Sequence, residues 1–389
     1  MSGLVLGIAL RFGCYKYLTM PPKRNLGSFL GMIMTIWRTA VFYALIAFAC
    51  SAAHAANLYE VVVPVQNQDK TSLQKAAKLG LERVLIRASG EQNVADNYTI
   101  SQTLKRAEQY VSQYAYGDDF DLPTVKLSFS RDQVLNLLRK ASLPVWSDER
   151  PGLVLWLVVD TPEGKQFVDQ ESFPELTKAL GYEASRRGLS LVFPLYDLRD
   201  STAMSIENVW NLDTFPAQQA SQRYDSQSVL MGRLSPLSGG VWVSEWAYIQ
   251  EGEVTRLDAR DSDFRFLRPA INRVADTMAA SYAIAPQIAG QDRGTGTIMH
   301  IAGLKGFADY ADAIRYLESA SGIAHANVLW MSGSDVLVNL VLRGTPEKVQ
   351  GHFRLGRRMI PSPETANTFF PPEHLAVDWF YRWNGAPSS

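Results

Sequence analysis

Five histidines are the side chains in this 389-residue sequence best suited to binding a metal or moving a proton near neutral pH. His54 lies close to the amino terminus, and the other four are His300, His325, His352 and His374. No two of these four are three to five residues apart, so no single helix or turn would present a pair to one ion. We therefore expect hydrogen-bonded or surface histidines, and neither a metal nor a cofactor.

Serine and glycine motifs give no signal for a nucleophile or a phosphate site. The sequence has no Gly-x-Ser-x-Gly element, which would expose a serine on a turn between a strand and a helix. Ser332-Gly333-Ser334-Asp335 lies between two expected strands and is typical of a β-turn. Gly294-Thr295-Gly296 precedes a strand, so it offers no helix amino terminus to an anion. The sequence favours a protein that is not an enzyme.

Two acidic clusters could hold calcium. One is Asp118-Asp119-Phe120-Asp121, and the other comprises Asp258, Asp261 and Asp263. The second lacks the glycine and the distal glutamate of a calcium-binding EF-hand loop. We expect solvated turns in both places, with a loose calcium site as the alternative.

Aromatic residues form two groups that could bind a partner. Trp242, Trp246 and Tyr248 have even spacing, so on a strand they point to one face. That face is either the floor of the domain core or an exposed platform for a partner. A second aromatic group near the carboxyl terminus is predicted to be an interaction surface. The candidate interaction residues are therefore Trp242, Trp246, Tyr248, Trp379, Tyr381 and Trp383.

Charge is distributed unevenly along the chain. No Asp or Glu precedes Glu60, whereas the first 55 residues carry five basic side chains: Arg11, Lys16, Lys23, Arg24 and Arg38. Without these 55 residues the chain has 33 basic and 39 acidic side chains, a formal charge of −6. Such a body would be repelled by nucleic acid and by anionic lipid, so neither is an expected partner.

Residues 1–55 read as a leader whose second part, 34–55, is a signal peptide. Arg38 precedes the apolar run Ala40–Ala49, and Ala53-His54-Ala55 has the small residues that signal peptidase requires. The prediction is cleavage between Ala55 and Ala56 and a periplasmic protein. The alternatives are a leader retained as an inner-membrane anchor, or a lipoprotein acylated at Cys50. Both cysteines, Cys14 and Cys50, lie in the leader, so the remaining chain can form no disulfide.

Hydrophobic periodicity divides the rest of the chain into three α/β pieces. We predict an amino-terminal domain at 57–150, a second at 151–285, a linker at 286–296 and a third domain at 297–385. The third has the β-α-β-β-α-β order of a ferredoxin-like domain. The predicted class is α/β (α+β), with a layered body of two pieces followed by this terminal domain.

Four short motifs resemble those of a known family. They are Tyr59-Glu60-Val61, Arg87-Ala88-Ser89-Gly90, Leu143-Pro144-Val145-Trp146, and Arg150-Pro151-Gly152-Leu153 followed by Trp156. Residues 57–285 resemble the proteobacterial proteins catalogued as domain of unknown function 2066. This resemblance implies export and a mixed fold, but it supplies no activity and no site.

The middle piece has a second likeness, at the level of element order only. Met231-Gly232-Arg233-Leu234, the two tryptophans Trp242 and Trp246, and a closing helix look like the amino-terminal domain of the translocation protein TolB. A shared fold does not define function, so this likeness carries no activity.

The sequence therefore predicts an exported, non-enzymatic periplasmic protein that binds another cell-envelope component, most simply a protein, through sheet edges or aromatic patches. One alternative is a periplasmic hydrolase with a carboxylate site that the sequence does not single out. Another is a protein that binds a small ligand in the cleft between the first two pieces. The oligomeric state has no signal in the sequence.

Overall fold

Three β-sheets with helices packed against them form the architecture of the protein in a computed structural model. The structure describes residues 57–119, 122–226, 228–285, 296–372 and 375–385. The leader with its predicted signal peptide lies outside the described residues, as does nearly all of the predicted linker. The mixture of helices and sheets confirms the predicted α/β (α+β) class.

The first sheet is antiparallel and has the strand order β1-β3-β2. Its elements are β1 (Glu60–Pro64), α1 (Lys70–Ser89), α2 (Tyr98–Leu104), β2 (Val111–Asp119), β3 (Leu122–Phe129) and α3 (Arg131–Lys140). Helix α1 begins after Asp69, whose carboxylate accepts a hydrogen bond from the Ser72 amide. It ends at Gly90, which has a φ of 79° that glycine adopts without strain. The apolar faces of α1 and α3 pack on the sheet to form the first core.

The middle sheet has the order β5-β4-β7-β8-β9, with the short β6 beside β4. Its elements are β4 (Leu153–Thr161), β5 (Gly164–Phe167), α4 (Pro174–Arg187), β6 (Leu191–Val192), α5 (Leu198–Ala203), α6 (Ile206–Trp210), α7 (Thr214–Ser221), β7 (Ser228–Pro236), β8 (Val241–Gln250), β9 (Glu253–Ser262) and α8 (Leu267–Tyr282). Helices α4 and α8 cover one face and the shorter helices cover the other. Strand β4 is therefore buried on both faces, as its unbroken apolar run predicts.

The third sheet has the order β11-β12-β10-β14-β13. Its elements are β10 (Thr297–Ala302), α9 (Phe307–Ser319), β11 (Ile323–Ser332), β12 (Asp335–Leu342), α10 (Pro346–Gly356), β13 (Met359–Pro361) and β14 (Trp379–Trp383). The predicted β-α-β-β-α-β order is present, with one strand added. The three-residue β13 lies at the edge, and β14 enters between β13 and β10, parallel to β10.

Two local predictions need correction. The residues from Ile100 to Tyr116 have a spacing that predicts one amphipathic stretch, but α2 ends at Leu104 and β2 begins at Val111. The acidic residues Asp258 and Asp261 lie within strand β9 and not in a turn. The charged side chains along β9 resemble those of a loop, because an edge strand also exposes polar side chains. The sequence therefore did not predict a strand here.

The described residues between 57 and 385 form one compact unit that contains all three sheets. No helix in the described part of the chain is both long enough and apolar enough to cross a membrane.

Candidate functional site

The motifs singled out in the sequence meet where the first sheet joins the middle one. The Trp146 amide donates to the Ala88 carbonyl at 2.7 Å. The Arg150 guanidinium lies 3.9 Å from the centre of the Trp146 ring, in a cation–π contact. Its Nη2 donates to the Arg87 carbonyl at 2.6 Å. These motifs therefore build a joint between two layers and do not form a reactive centre.

Two arginines, the half-buried Arg150 and the fully buried Arg187, complete this joint by binding the carboxyl ends of two helices. Arg150 Nη1 donates to the carbonyl of Gly188, the residue that ends α4, at 2.9 Å. Arg187 Nη2 donates to the Gly90 carbonyl at the end of α1, at 2.7 Å, and to Asp276 Oδ1 at 2.7 Å. Cations are favourable at helix carboxyl ends, where unpaired carbonyls concentrate negative charge. The two arginines thus fix α1 and α4 in one mutual orientation.

A groove of about 640 Å³ opens between strand β1 and helix α4, next to the arginine joint. Arg83 and Arg87 line its α1 side because residues four apart share one face of a helix. Lys178 and Tyr182 line its α4 side for the same reason. The groove is thus the cleft between the first two pieces of the chain.

The lining of the groove has more basic than acidic side chains, although Arg186 is paired with Glu183 and Lys126 with Glu60. Among the residues that the structure describes, five basic side chains line it against one carboxylate, that of Glu60. The basic residues are Arg83, Arg87, Lys126, Lys178 and Arg186. Lys126 Nζ lies 2.6 Å from Glu60 Oε2, and this hydrogen bond lowers the pKa of Glu60. Since the chain without its leader has a formal charge of −6, the groove concentrates positive charge on an otherwise acidic protein.

Arginines also close the free edge of strand β1. Arg87 Nη1 donates to the Glu60 carbonyl at 2.7 Å, and Arg83 Nη1 reaches the Val62 carbonyl at 3.4 Å. Pro64 has no N–H to offer. An added strand would have to displace the Arg87 guanidinium, so this edge is poorly suited to pairing with a peptide backbone. An occupant of the groove would be recognised through its own charge.

Two of the groove's side chains keep unused binding capacity. The guanidinium of Arg83 makes two long contacts, at 3.4 Å to the Val62 carbonyl and 3.5 Å to the Tyr182 hydroxyl. The Tyr182 side chain is 53% exposed. Arg87 is held more firmly, and burial lowers its pKa to about 10, so it stays charged at neutral pH. Arg83 and Tyr182 form the accessible part of the groove.

The first group of predicted interaction residues belongs to the core. Trp246 and Tyr248 are fully buried beneath α4 and α8. Trp242 is half-buried and stacks on Phe266, with ring centres 5.5 Å apart. The prediction that they share a face is confirmed, but the exposed platform is wrong. The spacing of residues along a strand shows which side chains share a face, but it does not show whether helices cover that face.

The second group is also buried. Trp379, Tyr381 and Trp383 alternate along β14 and point into the core of the third sheet. Their prediction as an interaction surface is wrong because these side chains pack against Tyr316 and Phe353 of the two helices that cover the sheet. Phe370, which precedes this strand, is 85% exposed.

His300 is buried in the third sheet. Its Nε2 lies 2.8 Å from Asp335 Oδ1, so the imidazole has a hydrogen-bond partner, as the sequence predicts. Its ring stacks on Phe369 with centres 3.8 Å apart. Burial lowers the pKa of His300, although Asp335 opposes this shift. The residue is a packed and neutral part of the fold at pH 7.

His352 lies on α10 where the third sheet contacts the rest of the chain. Its Nδ1 is 3.0 Å from Ser147 Oγ, and its Nε2 is 3.5 Å from Glu149 Oε2. The Tyr316 hydroxyl donates to the same carboxylate at 3.3 Å. Burial lowers the pKa of His352 to about 4 and raises the pKa of Glu149. No motif in the sequence indicates this cluster, because Ser147 and His352 are 205 positions apart.

The serine, histidine and glutamate of this cluster do not form a working nucleophile. The Ser147 hydroxyl donates to the Glu149 carbonyl at 3.1 Å, and its side chain is buried. None of the three lines the basic groove or the second groove, of about 470 Å³, between the middle and third sheets. A nucleophile must reach its substrate, so the cluster is a contact between domains.

Among the described residues, no cluster of three or more His, Cys, Asp or Glu side chains could hold a metal ion. The acidic segment that begins at Asp118 lies partly outside the described residues.

Residues 52–147 match a family described as a domain of unknown function (DUF8605). The match ends one residue after Trp146 of the arginine joint and includes the whole first sheet. No curated protein matches the chain.

Proposed function

We propose that the protein is a non-enzymatic binding protein of the bacterial cell envelope, and that it holds an acidic segment of a partner protein in the basic groove. The observation that carries this proposal is the set of five basic side chains around one carboxylate in the described part of the groove. Positive grooves attract anionic partners and raise the rate at which they associate.

Carboxylates suit the groove better than an added strand does. Arg83 can pair with a carboxylate through two parallel hydrogen bonds, a geometry that only a planar guanidinium offers. The exposed Tyr182 ring adds apolar surface beside this charge. Because arginines already bind the backbone carbonyls of β1, a partner would be recognised through its side chains.

The cellular location is part of the proposal. The predicted signal peptide at 34–55 supports export to the periplasm, with retention in the inner membrane or acylation at Cys50 as the alternatives. Kinship of residues 57–285 with the domain of unknown function 2066 family is proposed on its four short motifs. A periplasmic location would give the groove access to envelope proteins.

The hydrolase alternative has less support. It requires a deep pocket that holds two carboxyl groups with shifted pKa values. Glu60 is the one carboxylate among the described residues of the basic groove, and Glu149 lies in the contact around His352.

Calorimetric titration with a hexaglutamate peptide tests the proposal. We expect the native protein to bind this peptide with an affinity that falls as salt increases, because exposed charges are screened. Arg83→Glu should weaken binding by at least about tenfold, since it replaces an attractive charge with a repulsive one. Inorganic phosphate, tested in parallel, distinguishes a preference for carboxylates from a general affinity for anions.

Arg315→Glu is the matched control. Arg315 is 75% exposed on α9 and pairs with the exposed Asp312, so reversing it makes the same change in net charge away from the groove. Equal losses for the two variants, or no binding by the native protein, would count against the groove.

A further inference from the structure

The second groove, of about 470 Å³, lies between the middle and third sheets. Its volume is in the range of pockets that hold small molecules. One wall is formed by helix α10, and the other includes Tyr282 at the end of α8 and Glu251 in the turn between β8 and β9. This groove shares none of its described lining residues with the basic groove, so an occupant here would be a separate ligand.

Gly351 lies in the middle of α10, on the wall that faces Tyr282. Glycine inside a helix lowers its stability relative to alanine. Packing does not require glycine here: a Cβ would meet the Tyr282 ring at 3.8 Å and Arg354 Nη2 at 3.9 Å, which are ordinary van der Waals distances, and nothing nearer. Gly351 therefore leaves a space open between Arg354 and Tyr282, although alanine would make a more stable helix.

The space has one positive and one negative side. Arg357 pairs with Asp225, whereas no carboxylate in the described part of the chain forms an ion pair with Arg354. On the other side, the Tyr282 hydroxyl donates to Glu251 Oε1 at 3.1 Å. The order across the groove is thus a guanidinium, an open space, an aromatic ring and a carboxylate.

Glu251 occupies a position whose backbone favours other residues. Glu251 and Gly252 form the two-residue turn between β8 and β9, and their φ angles are 50° and 89°. Such turns favour asparagine or glycine, because both positions have positive φ. The glutamate is therefore in a strained conformation, as residues at ligand sites often are.

We propose that the second groove binds a short peptide with free ends. The peptide carboxylate pairs with the Arg354 guanidinium, and its backbone lies in the space beside Gly351. Its ammonium group pairs with Glu251, next to the Tyr282 ring. The charged ends of an extended tripeptide are about 10 Å apart, so they can span the open space and the ring. An anion or a cation alone would leave one side of the groove without a partner.

Calorimetric titration of the protein, as the cell processes it, with trialanine tests this proposal. We expect a Kd of about 1 mM or lower. Blocking either end, as the N-acetyl peptide or the carboxyl-terminal amide, should weaken binding about tenfold, because each block removes a hydrogen bond between charged groups. No binding of trialanine, or equal binding of the blocked peptides, would overturn the proposal.

Gly351→Ala separates the space in the groove from the stability of the helix. The added methyl group should weaken trialanine binding by at least about fivefold, since it enters an occupied space. It should also raise the midpoint of thermal unfolding, because alanine favours the helix. Gly181→Ala is the matched control, because Gly181 lies inside α4 with nothing within 4 Å of its Cβ position. Its stability should rise as well, with unchanged binding. Equal affinity of the two variants would contradict a peptide beside Gly351.

Arg354→Gln tests the positive side of the groove. It should weaken trialanine binding about tenfold, whereas Arg315→Gln, which removes an exposed charge on α9, should not. Arg83→Glu should bind trialanine like the native protein, because it alters only the basic groove. A loss of binding in Arg83→Glu would assign the peptide to the basic groove and overturn this site.

Discussion

The first and middle sheets are joined by permanent charges, whereas the contact of the third sheet also includes a largely buried histidine that can titrate. Arg150 and Arg187 bind carbonyls at the ends of α1 and α4, and guanidinium groups stay protonated at any physiological pH. The third sheet contacts the others through the Arg357–Asp225 ion pair and also through His352, Glu149 and Tyr316. The stability of the joint between the first and middle sheets should therefore not change with pH, whereas the stability of the contact with the third sheet should.

The largest effect is expected at the arginine joint. Arg187 is fully buried, and Arg187→Met would leave the Gly90 carbonyl without its donor. We expect the free energy of unfolding to fall by about 3 kcal/mol, since a buried polar group would lose a charged partner. Urea unfolding at pH 5 and pH 8 should show the same loss at both values.

Arg315→Met provides the comparison for this measurement, because the Arg315–Asp312 pair is exposed and should contribute little. If the loss from Arg187→Met depended on pH, or matched that of Arg315→Met, the joint would not be a permanent contact.

His352→Gln should remove the pH dependence that this contact gives to the free energy of unfolding. The folded pKa of about 4 lies below the ordinary value of 6.5, so the unfolded chain binds a proton first as the pH falls. The stability contributed by neutral His352 is therefore complete above pH 6.5 and is lost as the pH falls toward 4. The total is at most about 3 kcal/mol, because each pKa unit corresponds to about 1.4 kcal/mol.

The measurement is urea unfolding of native protein and variant between pH 4 and 7. Asp148 raises the pKa of His352 and Arg131 lowers it. The pKa of Glu149 is raised, so Glu149 stabilises the fold at low pH and opposes the trend that His352 produces. A difference between native protein and His352→Gln that stays constant with pH would show that the imidazole does not titrate in this contact.

The smallest effect is expected for Lys348→Met, in the same contact. Lys348 Nζ donates to the carbonyls of Ala280 and Ala283, at 3.0 and 2.6 Å, around the carboxyl end of α8. Losing these bonds should cost about 1 kcal/mol in urea unfolding at pH 7. Lys78→Met, at an exposed position of α1, should change stability little. Equal effects of the two changes would mean that Lys348 does not help to attach the third sheet.

Local signals in the sequence predicted much of the fold. The apolar run of β4, and Pro174 and Gly188 at the two ends of α4, fix those elements with residues that act within one or two turns. Strand β9 was missed because its charged side chains make an edge strand resemble a loop.

The candidate site was much harder to predict from the sequence than the fold was. The cleft between the first two pieces was predicted as a place for a ligand, but its basic character was not. Arg83 and Lys178 are far apart in the chain, and only the packing of α1 near α4 brings them to one groove. The motif residues Arg87 and Arg150 were visible, yet their role depends on carbonyls of distant helix ends.

The insertion of β14 beside β10 has a consequence for the order in which the protein folds during synthesis. Ile298 and Asp378, which precede the paired parts of these strands, are 80 positions apart and hydrogen-bonded to each other. The first strand of the third sheet therefore leaves the ribosome long before its parallel neighbour exists, and closing so long a loop is slow. The first two sheets can fold while the chain is still growing, whereas β10 must wait, with one edge uncovered, for the residues around Trp379.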